Sequence, residues 1–182
     1  MRIIAGKFKG RVIEMPKGIR PTSDKVRQAL FEMYKNRIEG ANFLDLYCGS
    51  GAVGIEAFSR GAKSSTFVDD NSQCIATLKK NLSHLHILDL STLYIYKRGV
   101  VEALKALKDS SRTFDIVFLD PPYYKNMAKN TLIALSDCDI LARNALIIVE
   151  LYKKEGLPEE VGKLKKIRTS FYGDTILESF RK

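Results

Sequence analysis

From residue 42 onward the sequence predicts an α/β fold, doubly wound around a mostly parallel sheet, and three observations carry that reading. Short apolar runs near residues 43–47, 65–69, 93–96, 114–119 and 145–151 alternate with helically spaced stretches near residues 51–60, 72–82, 100–108 and 126–136. Strand and helix in turn build βαβ units, and these close into a parallel sheet with helices on both faces. Next, the turn between the first strand and the first helix is glycine-rich, with Gly49, Gly51 and Gly54 in Gly-x-Gly-x-x-Gly spacing. Such sheets place ligands at the carboxyl ends of their strands near this junction. Last, Lys166–Tyr172 and Thr175–Phe180 flank Gly173-Asp174, a hairpin signal that adds an antiparallel C-terminal edge. The count is seven strands in a Rossmann-like sheet.

The first strand, near residues 43–47, runs into the glycine turn, and the second, Ser65-Thr66-Phe67-Val68, ends in Asp69-Asp70-Asn71. The fourth, Phe114–Leu119, stops at Asp120-Pro121-Pro122-Tyr123, because neither proline has an N–H and each fixes its φ near -65°. Ahead of the sheet, Arg2–Ala5 and Arg11–Glu14 flank a Gly/Lys turn and read as a small hairpin. Thr22, Ser23 and Asp24 offer N-caps for a helix carrying Val26, Leu30, Phe31 and Tyr34 at helical spacing.

The chain has 182 residues, 45% hydrophobic and 28% charged, which suits one globular domain with a single substantial core. No apolar stretch approaches the roughly 18 residues of a membrane span and no apolar leader opens the chain, so a cytoplasmic protein is expected. Cys48, Cys74 and Cys138 are far apart, and with two histidines they argue against a disulfide framework or a metal centre. His84 and His86 read as surface residues. The net charge of +9 is uneven: residues 1–40 carry 10 Lys/Arg against 4 Asp/Glu, residues 41–151 carry 12 of each, and residues 152–182 carry 8 against 5. A neutral body with a basic N-terminal flank points to a polyanionic partner.

The Asp-Pro-Pro-Tyr corner is a stiff set of acceptors beside an aromatic ring. It suits a planar group that donates hydrogen bonds, such as the exocyclic amine of a nucleobase; the alternative is a strand-ending turn. In the glycine loop, Asp45 lies four residues before Gly49. A carboxylate there repels a pyrophosphate but accepts from an ammonium group, so S-adenosylmethionine fits better than NAD. Asp69 is placed to accept from ribose hydroxyls, while Asp70 either shares that task or caps the following helix. Cys48, in the glycine loop, is expected to pack rather than react.

In that order and spacing, Asp45–Gly51, Asp69 and Asp120–Tyr123 resemble the class I S-adenosylmethionine-dependent methyltransferases that act on exocyclic amines. Arg2–Arg11, Arg20–Arg27, Leu30-Phe31 and the closing Tyr172-Gly173-Asp174-Thr175 narrow the resemblance to the RsmD family, which methylates N2 of a guanine in 16S ribosomal RNA. The resemblance implies a cofactor set of Thr22, Asp45, Leu46, Tyr47, Cys48, Gly49, Ser50, Gly51, Asp69, Asp70 and Asn71. It implies a catalytic corner of Asp120, Pro121, Pro122 and Tyr123. Residues 1–40 become an RNA-contacting extension, with Arg2, Lys7, Lys9, Arg11, Arg20 and Lys25 as contacts, ahead of a methyltransferase domain over residues 41–182. The implied partner is ribosomal RNA or the small ribosomal subunit, met by a monomer. One departure stands out: the family's acid after the third strand is missing from Tyr96–Val101. Two other readings remain open: an adenine-N6 methyltransferase on DNA or RNA, and a catalytically silent RNA-binding or assembly protein on the same scaffold.

Overall fold

The computed structural model describes residues 1–19, 22–87, 91–123 and 126–182. Five α-helices and eight strands follow one another along it, alternating as far as β5. They are α1 (Asp24–Met33), β1 (Asn42–Leu46), α2 (Ala52–Ser59), β2 (Ser64–Asp69), α3 (Ser72–His84), β3 (Leu93–Lys97) and α4 (Val100–Asp109). Then come β4 (Phe114–Leu119), α5 (Met127–Asp137), β5 (Leu141–Tyr152), β6 (Glu160–Val161), β7 (Leu164–Tyr172) and β8 (Thr175–Arg181). They form one sheet in the order β3-β2-β1-β4-β5-β8-β7-β6. The first five pair in parallel and the last three antiparallel. From β1 the chain winds outward to β2 and β3, then returns to lay β4 on the other side of β1. That reversal opens a crevice over the carboxyl ends of β1 and β4.

The central strands are covered on both faces, which is why they read as nearly continuous apolar runs. One face presents Leu44, Leu46, Val117, Leu119, Ile147 and Val149 to α4 and α5. The other presents Phe43, Ile116, Phe118, Leu146 and Ile148 to α1 and α2. Caps set the starts of two helices. Ser23 accepts the Val26 N–H at the head of α1, and Asn71 accepts from Gln73 and Cys74 at the head of α3. Of the two roles open to Asp70, the helix cap therefore belongs to Asn71. No helix among the described residues is long and apolar enough to cross a membrane.

Three details depart from the sequence reading. The sheet has eight strands, not seven, because the two-residue β6 is too short to show alternation. It is followed by Gly162 at φ 59, where a Cβ would lie 2.1 Å from the Ser136 hydroxyl oxygen. β5 starts at Leu141, earlier than its apolar run, across an irregular register with β4 and through exposed Arg143 and Asn144. The N-terminal hairpin shrinks to a single bridge, Arg2 to Val12. Ile3 and Ile13 still donate across it, to the Arg11 and Met1 carbonyls at 3.0 and 2.9 Å, but the next N–H groups turn away: Glu56 of α2 accepts from Ile4 at 2.8 Å and Ala5 at 3.0 Å.

Glu56 also meets Arg60 at 2.7 Å and Arg27 of α1 at 3.5 Å, and both Arg27 and Glu56 are fully buried. Residues 1–15 are thereby clamped onto α2 and α3, with Ile3 and Ile13 in a small core beside Ile55, Phe67 and Leu78. The N-terminal segment shares its packing with the sheet domain.

Candidate active site

The crevice at the topological reversal is a cavity of about 630 Å³. Its floor is the β1–α2 turn. Tyr47 leaves the strand at φ 61, Gly49 follows at φ 54 and Gly51 at φ 78, the left-handed conformations that carry the chain sharply into α2. A Cβ on Gly51 would fall 2.3 Å from Leu78 Cδ1, and one on Gly54 would fall 2.4 Å from the Phe67 ring and 3.0 Å from Asp45 Oδ2. Gly49 has open space at the same point. Two of the three glycines thus serve close packing, and the first leaves its surroundings clear on the cavity side.

Asp45, the penultimate residue of β1, is 2% exposed, and its Oδ2 accepts the Gly54 N–H at 2.9 Å. Burial pushes its pKa up to about 8; the Gly54 bond acts against that, and the nearby charges of Asp120 and Asp69 add to it. At β2, Asp69 accepts the Gly49 N–H through Oδ2 and the Asn71 N–H through Oδ1, both at 2.9 Å. Each carboxylate oxygen keeps a second lone-pair direction for a ligand. Burial raises the Cys48 thiol well above its ordinary pKa, which keeps it neutral and suits packing.

The wall is the corner after β4. Asp120 accepts from the Thr22 hydroxyl at 3.2 Å, so the segment before α1 reaches across 98 residues to touch the corner. The Tyr123 ring lies 5.9 Å from Tyr152 of β5, tilted by 43°. Asp120, Pro121, Pro122 and Tyr123 all line the cavity, with Thr22, Asp45, Tyr47, Cys48, Gly49, Ser50, Asp69, Asp70 and Asn71.

Of the expected cofactor set, two residues stand back from the lining. Leu46 turns its side chain into the α4–α5 core, and only its carbonyl serves the site, accepting the Asp120 N–H at 3.4 Å. Gly51 turns α2 behind the lining residues. Among the expected RNA contacts, Arg2, Lys7, Lys9, Arg11 and Lys25 are exposed, whereas Arg20 lies outside the described residues. Arg2 donates to the Gly10 carbonyl, and the Lys7 ammonium sits 3.7 Å from the Phe58 ring centroid. Both are partly committed to holding the N-terminal turn.

Sequence reasoning missed Asn81 and Glu150. Asn81 is buried on α3; its amide donates to the Ser50 and Glu14 carbonyls at 3.0 Å each and its oxygen accepts the Glu14 N–H at 2.8 Å. It ties the glycine loop to the N-terminal segment. A polar residue on an otherwise amphipathic helix face was the available signal. Glu150, on β5, is 4% exposed and lines the cavity. An acid inside the apolar run Ala145–Leu151 was the signal there.

Known proteins share much of this sequence and shape. The family model described as Conserved hypothetical protein 95 matches residues 1–181. The Ribosomal RNA small subunit methyltransferase D of Haemophilus influenzae is 36% identical over 173 residues, 93% of this chain and 89% of the relative. The solved structure of yhhF from Escherichia coli superimposes with a TM-score of 0.85 at 31% identity, covering 100% of this chain and 97% of that one. An RNA methyltransferase from Salinibacter ruber, solved with S-adenosyl-L-homocysteine, shares the fold at a TM-score of 0.66 and 13% identity, over 89% of this chain and 93% of that one. With one family model spanning nearly every residue and a relative 36% identical over 93% of the chain, the chain belongs to the family of Conserved hypothetical protein 95, the RsmD family.

Proposed function

We propose that the protein transfers a methyl group from S-adenosylmethionine to the exocyclic N2 amine of a guanine in small-subunit ribosomal RNA. The observation that carries this reading is the shared cavity: Asp120 and its proline corner face the same space as Asp45 and the glycine loop. The Haemophilus influenzae relative's name supports the rRNA substrate.

The residues present suit the cofactor. Asp45, a buried carboxylate with a single backbone donor, matches an ammonium group; Asp69 and Asn71 match ribose hydroxyls; and the clear space beside Gly49 admits close approach of the backbone. The cofactor supplies an electrophilic methyl on a sulfonium. The chain supplies position and acceptors. Asp120 and the Pro121 carbonyl accept from the amine, which removes its lone pair from conjugation with the ring and frees it to take the methyl; the S–CH3 bond would break to leave S-adenosylhomocysteine, and the proton shed by the nitrogen would leave through the Asp120 carboxylate. Thr22 holds the Asp120 carboxylate in place through its hydroxyl, so the acceptor is oriented before the base arrives. Tyr123, steadied against Tyr152, stacks on the base. Orientation in such a closed site can supply on the order of 7 kcal/mol. The base enters splayed from its stack, and the exposed Lys9, Arg11 and Lys25 with Arg2 and Lys7 track the phosphates.

The test is incubation of the purified protein and S-adenosylmethionine with small subunits from a strain lacking the gene, followed by nucleoside mass spectrometry. N2-methylguanosine should appear at one rRNA position. A folded protein that binds S-adenosylhomocysteine yet leaves no N2-methylguanosine overturns the reading.

A further inference from the structure

The three acids of the cavity that come from the central strands stand on one face of the sheet. β1 sets Asp45 opposite Phe118 of β4, and β4 sets Leu119 opposite Val149 of β5. The next pair along brings Asp120 level with Glu150. Alternation then turns both side chains toward the α1–α2 face, where Phe118 and Ile148 precede them. Neighbouring strands lie about 4.8 Å apart, so the two residues are neighbours across the strands. Tyr152, two residues beyond Glu150, brings its ring to Tyr123. Glu150 is thus part of the same wall as the proline corner.

The cavity divides by element. The methionine and ribose groups of the cofactor match the ends of β1 and β2, at Asp45, Gly49, Asp69 and Asn71. The space over β4 and β5 is left for the acceptor base, with Asp120, Tyr123 and Glu150 around it. A carboxylate on the wall of a cavity offers acceptor oxygens to a ligand that donates. Guanine presents N1–H beside its N2 amine, two donors in a row, and carboxyl oxygens accept. Adenine and 2-aminopurine present a bare N1 lone pair at the corresponding place, which gives an acceptor nothing to receive.

We propose that Glu150 is the residue that selects guanine, its carboxylate accepting the N1–H while Asp120 holds the adjacent N2 amine. The inference rests on the methyl-transfer reading above. It makes base choice a matter of one carboxylate: Asp120 would hold any exocyclic amine, and Glu150 asks what lies next to it.

The experiment compares single-turnover methylation of small-subunit rRNA carrying guanine, or 2-aminopurine introduced by splinted ligation, at the mapped target. 2-Aminopurine keeps the amine and loses only the N1–H and O6. The parent should prefer guanine by about a hundredfold or more, the scale on which a site built for a donor rejects an analogue lacking it. Glu150→Gln should narrow the preference to about tenfold or less, because its amide N–H can donate to the bare N1. Its affinity for S-adenosylhomocysteine should stay within about twofold of the parent's. A purely structural role for Glu150 lowers both rates together and leaves their ratio alone, so an unchanged ratio in the folded variant overturns the proposal. A parent that methylates both bases alike overturns it with no variant needed. A parent that makes no N2-methylguanosine removes the methyl-transfer reading itself, and this inference with it.

Discussion

Asp45→Asn is the change that probes the charge logic of the cavity most directly. Desolvation dominates at this carboxyl and outweighs the Gly54 N–H, giving a pKa of about 8 in the ligand-free protein. Near neutral pH the group is therefore mostly protonated. An ammonium group placed beside it reverses that preference, since an opposite charge within a few ångströms favours the carboxylate. Binding of S-adenosylhomocysteine should consequently release close to one proton at about pH 6.5, with the release from Asp45 fading by about pH 9. Titration calorimetry in buffers of different ionisation enthalpy reads this number directly. In Asp45→Asn the release should vanish and affinity should fall by about 10- to 100-fold, the worth of a hydrogen bond to a charged group. The same carboxyl shapes stability. Its folded pKa is raised above the unfolded value near 3.9, so its contribution is fully present below about pH 4 and is lost as pH rises through about 8. The gap between the folded and unfolded values sets a ceiling on the order of 5 kcal/mol for that loss. The ligand-free parent should therefore weaken across this window in chemical denaturation, and the asparagine variant should show a flatter profile. A binding enthalpy independent of buffer at about pH 6.5 would refute the assignment of Asp45 to the ammonium.

Asp120→Ala should fold and bind S-adenosylhomocysteine, yet lose on the order of a hundredfold or more in single-turnover rate, because the lost acceptor matters most as the nitrogen becomes tetrahedral. A variant methylating at the parent rate would remove the corner from the mechanism. Asn81→Ala deletes three hydrogen bonds between α3, the glycine loop and residue 14, and strands buried backbone groups. Thermal or denaturant unfolding should show a loss of about 2–4 kcal/mol, accompanied by weaker cofactor binding. Charge removal at Lys9 and Arg11, both exposed, should reduce the salt dependence of RNA binding by about one unit of log–log slope or less per lost phosphate contact, with cofactor affinity preserved. An unchanged slope would place the RNA elsewhere.

What the sequence made legible was whatever depends on short-range pattern. Five parallel strands and their helices announce themselves through apolar runs and spacing, and the Gly-Asp hairpin through its turn. The proline corner and the glycine loop declare the cavity because both are backbone devices written into consecutive residues. What stayed hidden was long-range. Glu56 receives the N–H groups of Ile4 and Ala5 from more than 50 residues away, and so ends the hairpin pairing just past the Ile3–Arg11 bond. Asn81 holds residue 14, and Thr22 touches Asp120, through contacts that no window of sequence contains. Glu150 shows the same limit from another side. Its place inside an apolar run was visible, but its neighbour Asp120 is known only from the register of β4 on β5.

The two kinds of buried acid in this molecule say where its ligand charge belongs. Glu56 is fully buried and fully occupied: two backbone N–H groups, the Arg60 guanidinium and the Arg27 guanidinium converge on it. Breaking that arrangement from either side leaves a buried charge alone, so it serves as a clamp for the N-terminal segment. Asp45 is almost as buried, but it meets one backbone N–H and faces like charges at Asp120 and Asp69. No cation of the chain answers it among the described residues, and its raised pKa is the physical record of that. A fold that neutralises one buried acid so thoroughly and leaves another in a cavity, acid against acid, carries strain that a cationic ligand relieves. Groups of this kind concentrate at functional sites. Binding of the cofactor's ammonium should therefore stabilise the protein more as pH rises from about 6 toward 8, while fewer protons remain on Asp45 to be displaced. Thermal shifts with S-adenosylhomocysteine across that range should grow with pH in the parent and stay level in Asp45→Asn; parallel curves for the two proteins would show that the ammonium binds elsewhere.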